Sequence, residues 1–337
     1  MRTSLNDVAR KAKVSTATVS RVLNDTDRVK ASTRDRVLKA IADLNYHPNL
    51  YARTLAGGRN RTLGMVVSNI ENPFFLDIFR GLEASARQAG YEVLVANTDY
   101  GPQRLLSSIH LLMGRRPAGL ALIVSEMQAS LVREIEESGI PTVFYDTGPA
   151  RPSMANIRMD YARGMRQIVE YLHDLGHRRM AFIGHHTSLG PLANRKKSFL
   201  DTVARFAPGV KFTTLADVDG PAGGRRAAQE LLASGFEPTA ILCVNDFMAL
   251  GVLRELQDRG LRVPADISVT GFDNIRLAEY ACPALTTADI PRERIGATVF
   301  ETLVPPDGSE PVLGREILIH PTLVLRESTG PAARRTQ

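Results

Sequence analysis

Residues 5–25, "LNDVARKAKVSTATVSRVLND", contain two short amphipathic helical patterns separated by a break of about three residues. The apolar positions that recur at helical spacing are Leu5, Val8, Ala9 and Ala12 in the first pattern, and Val19, Val22 and Leu23 in the second. Ser4 and Ser15 precede the two patterns, and serine is a preferred N-cap residue. The stretch therefore predicts two short helices, each with an apolar inner face.

A third helix is predicted to open at Ser32 and to run through "TRDRVLKAIADL", residues 33–44. Its apolar stripe is Val37, Leu38, Ile41 and Leu44. Two short helices joined by about three residues form a helix-turn-helix motif, whose second helix enters the major groove of DNA. A small three-helix bundle of unspecified role is the alternative interpretation of this pattern.

The outer face of the second helix is mostly polar, and it presents Thr16, Ala17, Ser20, Arg21 and Asn24. An arginine on such a face has the donor geometry to pair with guanine O6 and N7. Residues 1–61 hold 13 Lys and Arg against five Asp and no Glu, a net charge of +8, whereas the whole chain carries +6. A compact basic module on a near-neutral body favours a nucleic-acid partner over a solvated basic surface.

The stretches "LNDVARKAKVSTATVSRVLND" and "VKASTRDRVLKAIADLNYHPN" resemble the DNA-binding domain of the lactose-repressor (LacI/GalR) family, and the resemblance extends along nearly the whole chain. It implies that Thr16, Ala17 and Arg21 read bases. The full set of residues expected at the major groove is Leu5, Ser15, Thr16, Ala17, Ser20, Arg21 and Asn24. Many relatives have glycine where this chain has Lys13, so a positive φ there would place strain on a residue that is not glycine.

Residues 49–58, "NLYARTLAGG", have the pattern of a helix that is too short to be stable by itself in water. The resemblance implies that this is a hinge helix, in which Leu55 inserts into the minor groove and bends the duplex. Asn49, Ala52 and Arg53 are expected to lie against the groove and the DNA backbone. Ordering this helix costs conformational entropy, which contacts with DNA are expected to offset. The helix is therefore expected to fold only on DNA.

From residue 62, short apolar runs alternate with amphipathic helical stretches. The runs are 62–68, 91–97, 118–124, 140–146, 179–185, 211–217, 239–246 and 267–273. The helical stretches are 74–90, 103–114, 129–138, 161–176, 191–206, 221–234 and 247–259. This alternation predicts parallel sheets covered by helices on both faces, in two similar lobes.

The resemblance specifies the fold class: an N-terminal all-α helix-turn-helix DNA-binding domain, plus an α/β periplasmic-binding-protein-like (type I) core of two Rossmann-like subdomains. The expected domains are a helix-turn-helix domain (1–47), a hinge helix and linker (48–61), an effector-binding and dimerisation core (62–330) and a disordered tail (331–337). Within the core we expect an N-subdomain from about 62–158 and 290–320, and a C-subdomain from about 159–289 and 321–330.

Ligands of such sheets bind beyond the carboxyl ends of the strands, so the residues that follow each run are candidate contacts. The candidates for effector binding are Ser68, Phe74, Asp146, Arg195, Asn245 and Asp273. Fixed polar groups beside aromatic rings suit a polyhydroxylated ligand. The resemblance implies effector contacts for Asp146, Arg195, Asn245 and Asp273. A single Asp after a strand is more often a helix N-cap, and Asp246 is interpreted in that way.

Several other classes are disfavoured. No apolar run reaches 18 residues and the N-terminus lacks a secretory signal, so we expect a cytoplasmic protein without membrane contact. Nucleotide-binding glycine motifs and the G-x-S-x-G elbow are absent from the sequence, which argues against an enzyme. His173 and His177 have metal-ligand spacing, but Gly176 interrupts them, so no metal and no cofactor are expected. A periplasmic transport receptor is the remaining rival.

The resulting expectation is a ligand-regulated, sequence-specific repressor of carbohydrate genes, released from a palindromic operator by a sugar-like inducer. The alternative is a corepressor-dependent repressor that responds to a purine or another small metabolite. The resemblance implies a homodimer on double-stranded operator DNA. The chain ends "LRESTGPAARRTQ" without a leucine heptad, which favours a dimer over a tetramer.

Overall fold

The computed structural model describes residues 3–23, 29–46, 60–186, 190–305 and 309–333. The chain divides into two compact units, Met1–Asn60 and Arg61–Gln337. Among the described residues, no helix combines the length and the apolar character that crossing a bilayer requires.

The first unit contains three helices, α1 (Leu5–Ala12), α2 (Thr16–Leu23) and α3 (Ala31–Asp43). Their buried core consists of Val8, Ala9, Ala12, Val19, Val22, Val37 and Ala40. Both predicted caps are confirmed. Ser4 and Asp7 form a capping box at α1, and the Thr18 N–H donates to Ser15 Oγ at 3.2 Å at the start of α2.

Two details of α3 differ from the prediction. The helix begins at Ala31 after Lys30, which forms no side-chain cap, so Ser32 lies inside the first turn. Leu38, predicted in the apolar stripe, is 49% exposed. The inner face of α3 follows Val37, Ala40, Ile41 and Leu44. Leu38 lies about 100° further round the helix from Val37, and the short helices α1 and α2 do not cover it.

Lys13 ends α1 in the left-handed conformation, with φ 53° and ψ 49°. Its N–H and that of Val14 donate to carbonyl oxygens in the last turn of α1. The expected strain at a residue other than glycine is therefore present at the turn of the motif.

The second unit begins with a six-stranded parallel sheet in the order β11-β5-β4-β3-β1-β2. The strands are β1 (Thr62–Val67), β2 (Glu92–Asn97), β3 (Gly119–Ile123), β4 (Thr142–Tyr145), β5 (Met154–Met159) and β11 (Glu316–Ile319). Its helices are α4 (Pro73–Gln88), α5 (Pro102–Met113), α6 (Ala129–Ser138) and α12 (Arg292–Leu303). The central strands β1, β3 and β4 are almost wholly buried, as expected for a sheet covered on both faces.

A second parallel sheet has the order β7-β6-β8-β9. Its strands are β6 (Arg179–His185), β7 (Lys211–Asp217), β8 (Ala240–Cys243) and β9 (Ser268–Thr270). Its helices are α7 (Tyr161–Asp174), α8 (Gly190–Phe206), α9 (Pro221–Ala233), α10 (Asp246–Asp258) and α11 (Arg276–Tyr280). A short antiparallel pair, β10 (Thr287–Asp289) and β12 (Thr322–Val324), completes this half.

The chain passes between the two sheets three times, after β5, after β10 and after β11. The predicted α/β core of two Rossmann-like subdomains is therefore confirmed. Helix α12 follows the second crossing and packs closely on α4, where a Cβ at Gly81 or Gly296 would collide with the other helix's backbone. This close packing fixes Arg292, the first residue of α12, beside the loops that join the two subdomains. The detailed domain boundaries stay predictions.

Candidate functional site

The exposed face of α2 carries the predicted base-reading residues. Thr16, Ala17 and Arg21 are exposed, while Val19 and Val22 on the opposite face are buried. Ser15 is exposed, and its hydroxyl serves as the N-cap of the helix. A helix anchored by its inner face in this way presents short side chains to a groove.

Other predicted DNA contacts have different placements. Ser20 is half-buried, and Leu5 packs against the three-helix core. Asn24 lies outside the described residues, as do the hinge-helix residues Asn49, Ala52, Arg53 and Leu55.

In the second unit, a narrow pocket with a free volume of about 20 Å³ lies between the two subdomains, and we call it the aromatic pocket. On the side of the six-stranded sheet it is lined chiefly by Asn72, Phe74, Phe75, Tyr100, Ser125 and Tyr145. Opposite these lie Pro191, Leu192, Arg195, Asn245 and Asp273. Four of the six predicted effector contacts, namely Phe74, Arg195, Asn245 and Asp273, therefore meet at one cavity.

Helix α8 buries Arg195 because this residue shares a face with Leu192 and Phe199, at a spacing of three and four residues. Arg195 is 2% exposed. Its Nη2 donates to Asp273 Oδ1 at 2.7 Å and its Nη1 to the carbonyl oxygen of Val244 at 2.8 Å. The guanidinium also lies over the rings of Tyr161 and Phe272. These contacts fix the guanidinium plane at the wall of the pocket.

The charges of this pair are set by competing effects. Burial raises the pKa of Asp273 to about 6, and the positive charge of Arg195 limits the rise. Burial works to lower the pKa of Arg195, but Asp273 outweighs it and the pKa rises. Both groups are therefore ionised at neutral pH. Within the part of the chain that the structure describes, Arg195 Nε is buried without a hydrogen-bond partner, whereas the buried hydroxyl groups of Tyr145 and Tyr161 interact with each other.

Asn245, not Asp246, caps α10, so the sequence-based interpretation of Asp246 as the N-cap is wrong. Asn245 Oδ1 accepts from the Met248 N–H at 2.8 Å. Asp246 is fully buried instead, and it accepts from the Ile275 N–H at 2.8 Å and from Thr287 Oγ1 at 2.5 Å. It thus braces the loop that carries Asp273.

Asp219 joins the two subdomains and was missed by the sequence reasoning. Its Oδ2 accepts from Asn69 Nδ2 at 3.0 Å, Asn72 Nδ2 at 3.2 Å and the Tyr100 hydroxyl at 2.9 Å, all from the opposite subdomain. Its Oδ1 accepts from Asn245 Nδ2 at 2.8 Å. We call these five residues the cleft latch. Asp219 stands two residues beyond the end of β7. A search that included the second residue after each strand would have found it.

Ser68 lies behind the aromatic pocket rather than in its lining. Its hydroxyl is fully buried and donates to Glu126 Oε2 at 2.7 Å, and it accepts from the Ser125 N–H at 2.9 Å. Thr98 also donates to Glu126. Ser68 therefore supports the pocket wall through Glu126 and Ser125.

Asp146 lies in a second cavity of about 370 Å³, which we call the polar pocket. Its principal lining residues are Asp146, Thr147, Asn156, Arg158, Asn194 and Glu316. Asp146 adopts a positive φ of 55° and accepts from Asn194 Nδ2 at 3.3 Å. Burial raises the pKa of its carboxyl above the usual value for aspartate.

His177, which was considered with His173 as a metal ligand, has other partners, and His185 lies against an aromatic ring. His177 is buried, with Nδ1 3.0 Å from Thr239 Oγ1 and Nε2 3.0 Å from the Gly330 carbonyl oxygen, so it braces the C-terminal segment. His185 stacks on the ring of Tyr100 at 4.6 Å between centroids. Over the described ranges, no group of three or more metal-binding side chains was found.

Comparison with known proteins finds matches in both units of the chain. Residues 4–49 match the model described as bacterial regulatory proteins of the lacI family, and residues 169–329 match a periplasmic binding protein-like domain. The HTH-type transcriptional repressor PurR of Photobacterium profundum is 34% identical over 327 residues, which cover 96% of this chain and 98% of the relative. The chain belongs to the lacI family of bacterial regulatory proteins.

Solved structures of this family have the same fold. The lac repressor dimer bound to operator and the anti-inducer ONPF is 30% identical, covers 98% of this chain and 100% of its own, and has a TM-score of 0.83. A complex of the transcriptional regulator CelR with cellobiose is 28% identical, with coverages of 97% and 100% and a TM-score of 0.68. This lacI-family protein is thus a DNA-binding transcriptional repressor.

Proposed function

We propose that this repressor is corepressor-dependent and that its effector is a purine, or a closely similar planar metabolite, bound in the aromatic pocket. The observation that carries the proposal is the combination of Phe74 and Phe75 with the buried Arg195 Nε, which lacks a hydrogen-bond partner among the described residues. A purine offers flat faces to aromatic rings and nitrogen or oxygen acceptors at its edges for the Arg195 N–H. The cost of leaving that donor unpaired is then removed on binding.

The relatives support the purine alternative more than the sugar-like inducer first expected from the sequence. Repressors named PurR, which respond to purines, align over nearly the full length of both chains. A sugar is the second candidate, because CelR was solved with cellobiose and the polar pocket suits hydroxyl groups.

We propose that ligand binding strengthens operator binding, because a ligand in the aromatic pocket contacts both subdomains. A ligand there contacts Asn72 and Tyr100 on one side and Arg195 and Asn245 on the other. It therefore stabilises the closed cleft, in which the cleft latch is formed. We propose that the closed form is the one that binds operator DNA.

On the DNA side, we propose that Thr16, Ala17 and Arg21 read base edges. The remaining proposed major-groove contacts are Leu5, Ser15, Ser20 and Asn24. Asn49, Ala52, Arg53 and Leu55 are proposed, from sequence alone, to act at the minor groove. The exposure of Arg21 on a helix anchored by its opposite face supports the first assignment.

A homodimer is proposed as the operator-binding form. The related lac repressor was solved as a dimer on its operator, and α11 of this chain exposes Leu277 and Tyr280, the latter 80% exposed. We propose that a second copy covers this apolar surface. A solution mass of a single chain at micromolar concentration, measured by sedimentation equilibrium, would contradict it.

A ligand panel tests the effector class. Adenine, guanine and hypoxanthine are compared with ribose, glucose and cellobiose in thermal unfolding of the full chain. A ligand at about 100 times its Kd stabilises the folded state by about 2.7 kcal/mol, which raises Tm by several degrees. We expect a purine to give this shift and the sugars to give none.

A Phe74→Leu variant is the control for location, because it removes ring contact from the aromatic pocket without adding a polar group. We expect about tenfold weaker purine binding in this variant. A Tm shift caused by a sugar and by none of the purines would replace the proposed effector class with the second candidate.

A further inference from the structure

Lys13 occupies a backbone position that suits glycine better than lysine. It ends α1 in the left-handed region, with φ 53° and ψ 49°. A side chain disfavours this region because its Cβ approaches the following carbonyl oxygen. Of the described residues in the first unit, only Lys13 and Asn45 have a positive φ, and asparagine tolerates it well. Lys13 is therefore the strained residue of this unit, and strain of this kind often accompanies a functional contact.

Hydrogen bonds hold the backbone of Lys13 in this conformation. The Lys13 N–H donates to the Arg10 carbonyl oxygen at 3.3 Å, and the Val14 N–H donates to the Ala9 carbonyl oxygen at 3.0 Å. Val14 also packs against the core of the three helices. Lys13 itself is exposed. The turn is thus a fixed base from which a lysine side chain extends into solvent.

The charge of Lys13 differs in its surroundings from those of the two basic residues that end α1. Arg10 Nη1 lies 3.5 Å from Asp7 Oδ1, and Lys11 Nζ lies 3.0 Å from Asp43 Oδ2. Within the described ranges, Lys13 forms no such ion pair. Its ammonium group therefore presents a positive charge at the turn that no carboxylate of the described residues offsets, and such a charge attracts a polyanion.

The position of Lys13 brings this charge to the reading end of α2. Lys13 stands two residues before Ser15, the N-cap of α2, so their Cα atoms are at most about 7.6 Å apart. In a helix-turn-helix, the N-terminal residues of the second helix contact base edges in the major groove. This end of the helix therefore lies between the two phosphate strands that border the groove. A lysine side chain that starts at the turn is long enough to meet one of them.

We propose that Lys13 binds a phosphate of the DNA backbone and so positions α2 in the major groove. The inference rests on the proposed placement of α2 in the groove and adds a contact to it. Lysine binds phosphate as a point charge, and phosphates carry no sequence information. The contact therefore strengthens binding to operator and to other duplexes by the same factor. It also offsets the strain at Lys13 when DNA is bound.

The salt dependence of DNA binding by the full chain tests the proposal. Fluorescence anisotropy gives Kd at several salt concentrations for an operator selected from a random duplex pool and for a scrambled duplex. Each phosphate contact contributes about 0.9 to the slope of log K against log salt. In Lys13→Gly we expect this slope to become less steep by about 0.9 for each chain that contacts DNA. We also expect both duplexes to bind about threefold or more weakly per chain.

Two further variants separate the contact from a general effect of charge. Lys13→Arg keeps a cation at the turn, and it is expected to keep the slope of the unchanged protein. Lys11→Gln removes the same amount of charge from a residue that is already paired with Asp43, and its slope is expected to stay the same. Calorimetric unfolding without DNA is expected to show Lys13→Gly at least as stable as the unchanged protein, since glycine suits the left-handed region.

The outcomes decide the proposal. A slope in Lys13→Gly equal to that of the unchanged protein would show that Lys13 does not bind phosphate. A Lys11→Gln variant that flattens the slope as much as Lys13→Gly would also overturn it, because total charge would then explain the effect. Arg21→Ala tests the underlying placement of α2 separately. It is expected to weaken operator binding far more than scrambled binding, and equal losses would contradict base reading by α2.

Discussion

Asp246 has no solvent contact, yet it carries a carboxyl group beside that of Asp273. Burial, and then the charge of Asp273, raise its pKa to about 8. Its two oxygens accept from the Ile275 N–H and Thr287 Oγ1, so the group is held in place whether or not it is ionised. A buried carboxyl with a raised pKa has a definite consequence for stability.

Between about pH 4 and pH 8 the folded state binds a proton at Asp246 that the unfolded state has released. The free energy of unfolding is therefore predicted to fall as pH rises through this window. From pH 5 to pH 8 we expect a loss of at least about 1 kcal/mol, since one pKa unit corresponds to about 1.4 kcal/mol. The loss between pH 6 and pH 8 is expected to be much smaller in Asp246→Asn, whereas the part below pH 6 that comes from the raised pKa of Asp273 remains. Urea unfolding of the full chain at several pH values measures it.

Asp217→Asn provides the control for this measurement. The side-chain hydrogen bond from Arg226 lowers the pKa of Asp217, so its titration lies below the window. Its substitution is expected to leave the slope between pH 5 and pH 8 unchanged. A slope in Asp246→Asn as steep as in the unchanged protein would contradict the role given to Asp246.

At the scale of elements, the cleft latch is the contact through which loops of the two subdomains hold each other. Asn72 caps α4 through its Oδ1, which accepts from the Phe74 N–H at 3.1 Å, and it uses its Nδ2 for Asp219. Asn245 likewise caps α10 through its Oδ1 and donates from its Nδ2 to Asp219. Each asparagine thus ties the start of a helix to the latch. A movement at the cleft is therefore transmitted to α4 and α10.

Asp219→Asn is predicted to loosen the closed cleft. In this variant an amide NH₂ group takes the place of one carboxylate oxygen. In one orientation of the amide, the NH₂ faces the donors of Asn69, Asn72 and Tyr100. In the other orientation, it faces the donor of Asn245. Hydrogen bonds to a charged group contribute about 1.5–3 kcal/mol, so amide exchange in 69–72 and 219–221 is expected to rise about tenfold or more. Hydrogen-exchange mass spectrometry of the ligand-free protein measures this.

The same experiment on Asp217→Asn supplies the comparison. Asp217 ends β7 and pairs with Arg226, an exposed pair that contributes little. Its substitution is expected to leave exchange near the cleft unchanged. Equal exchange rates in the unchanged protein and in Asp219→Asn would show that the latch does not hold the cleft.

Elements with strong periodicity were predictable from sequence, and weakly patterned ones were not. The run 179–185 and the stretch 129–138 match β6 and α6 at both ends. Strand β5 was missed because Asn156 and Arg158 interrupt "MANIRM", and both side chains line the polar pocket. Strand β11 lies at a sheet edge and alternates, so it lacks the apolar run of a central strand.

The candidate site was predictable where a residue directly follows a strand or shares the buried face of a helix. Asn245 and Asp273 illustrate the first case, and Arg195 the second. Asp219 and Tyr100 were not predictable in this way, because each stands further into its loop and acts across the cleft. Contacts between subdomains depend on how the two sheets face each other, which local patterns do not contain.

At the scale of the whole molecule, the unit that contains the cleft is joined in sequence to a helix-turn-helix DNA-binding unit. The two units have separate cores, and the resemblance places the hinge residues 48–61 between them. Coupling therefore requires that ligand binding in the cleft change operator affinity. Typical coupling of this kind alters affinity by 5-fold to 150-fold.

Operator affinity with and without ligand tests this coupling most directly. An operator is selected from a random duplex pool, and fluorescence anisotropy gives Kd at one salt concentration. The ligand is the panel compound that gives the largest thermal shift. The comparison protein is the double variant Arg195→Met/Asp273→Asn, which removes both charges and so avoids leaving one buried and unpaired.

We predict that the ligand lowers the operator Kd of the unchanged protein by about tenfold or more. In the double variant, the ligand-free Kd stays within about threefold of the original and no longer responds to ligand. An operator affinity that is unchanged or weakened when the cleft is saturated, or a double variant that still responds fully, would contradict corepression through this cleft.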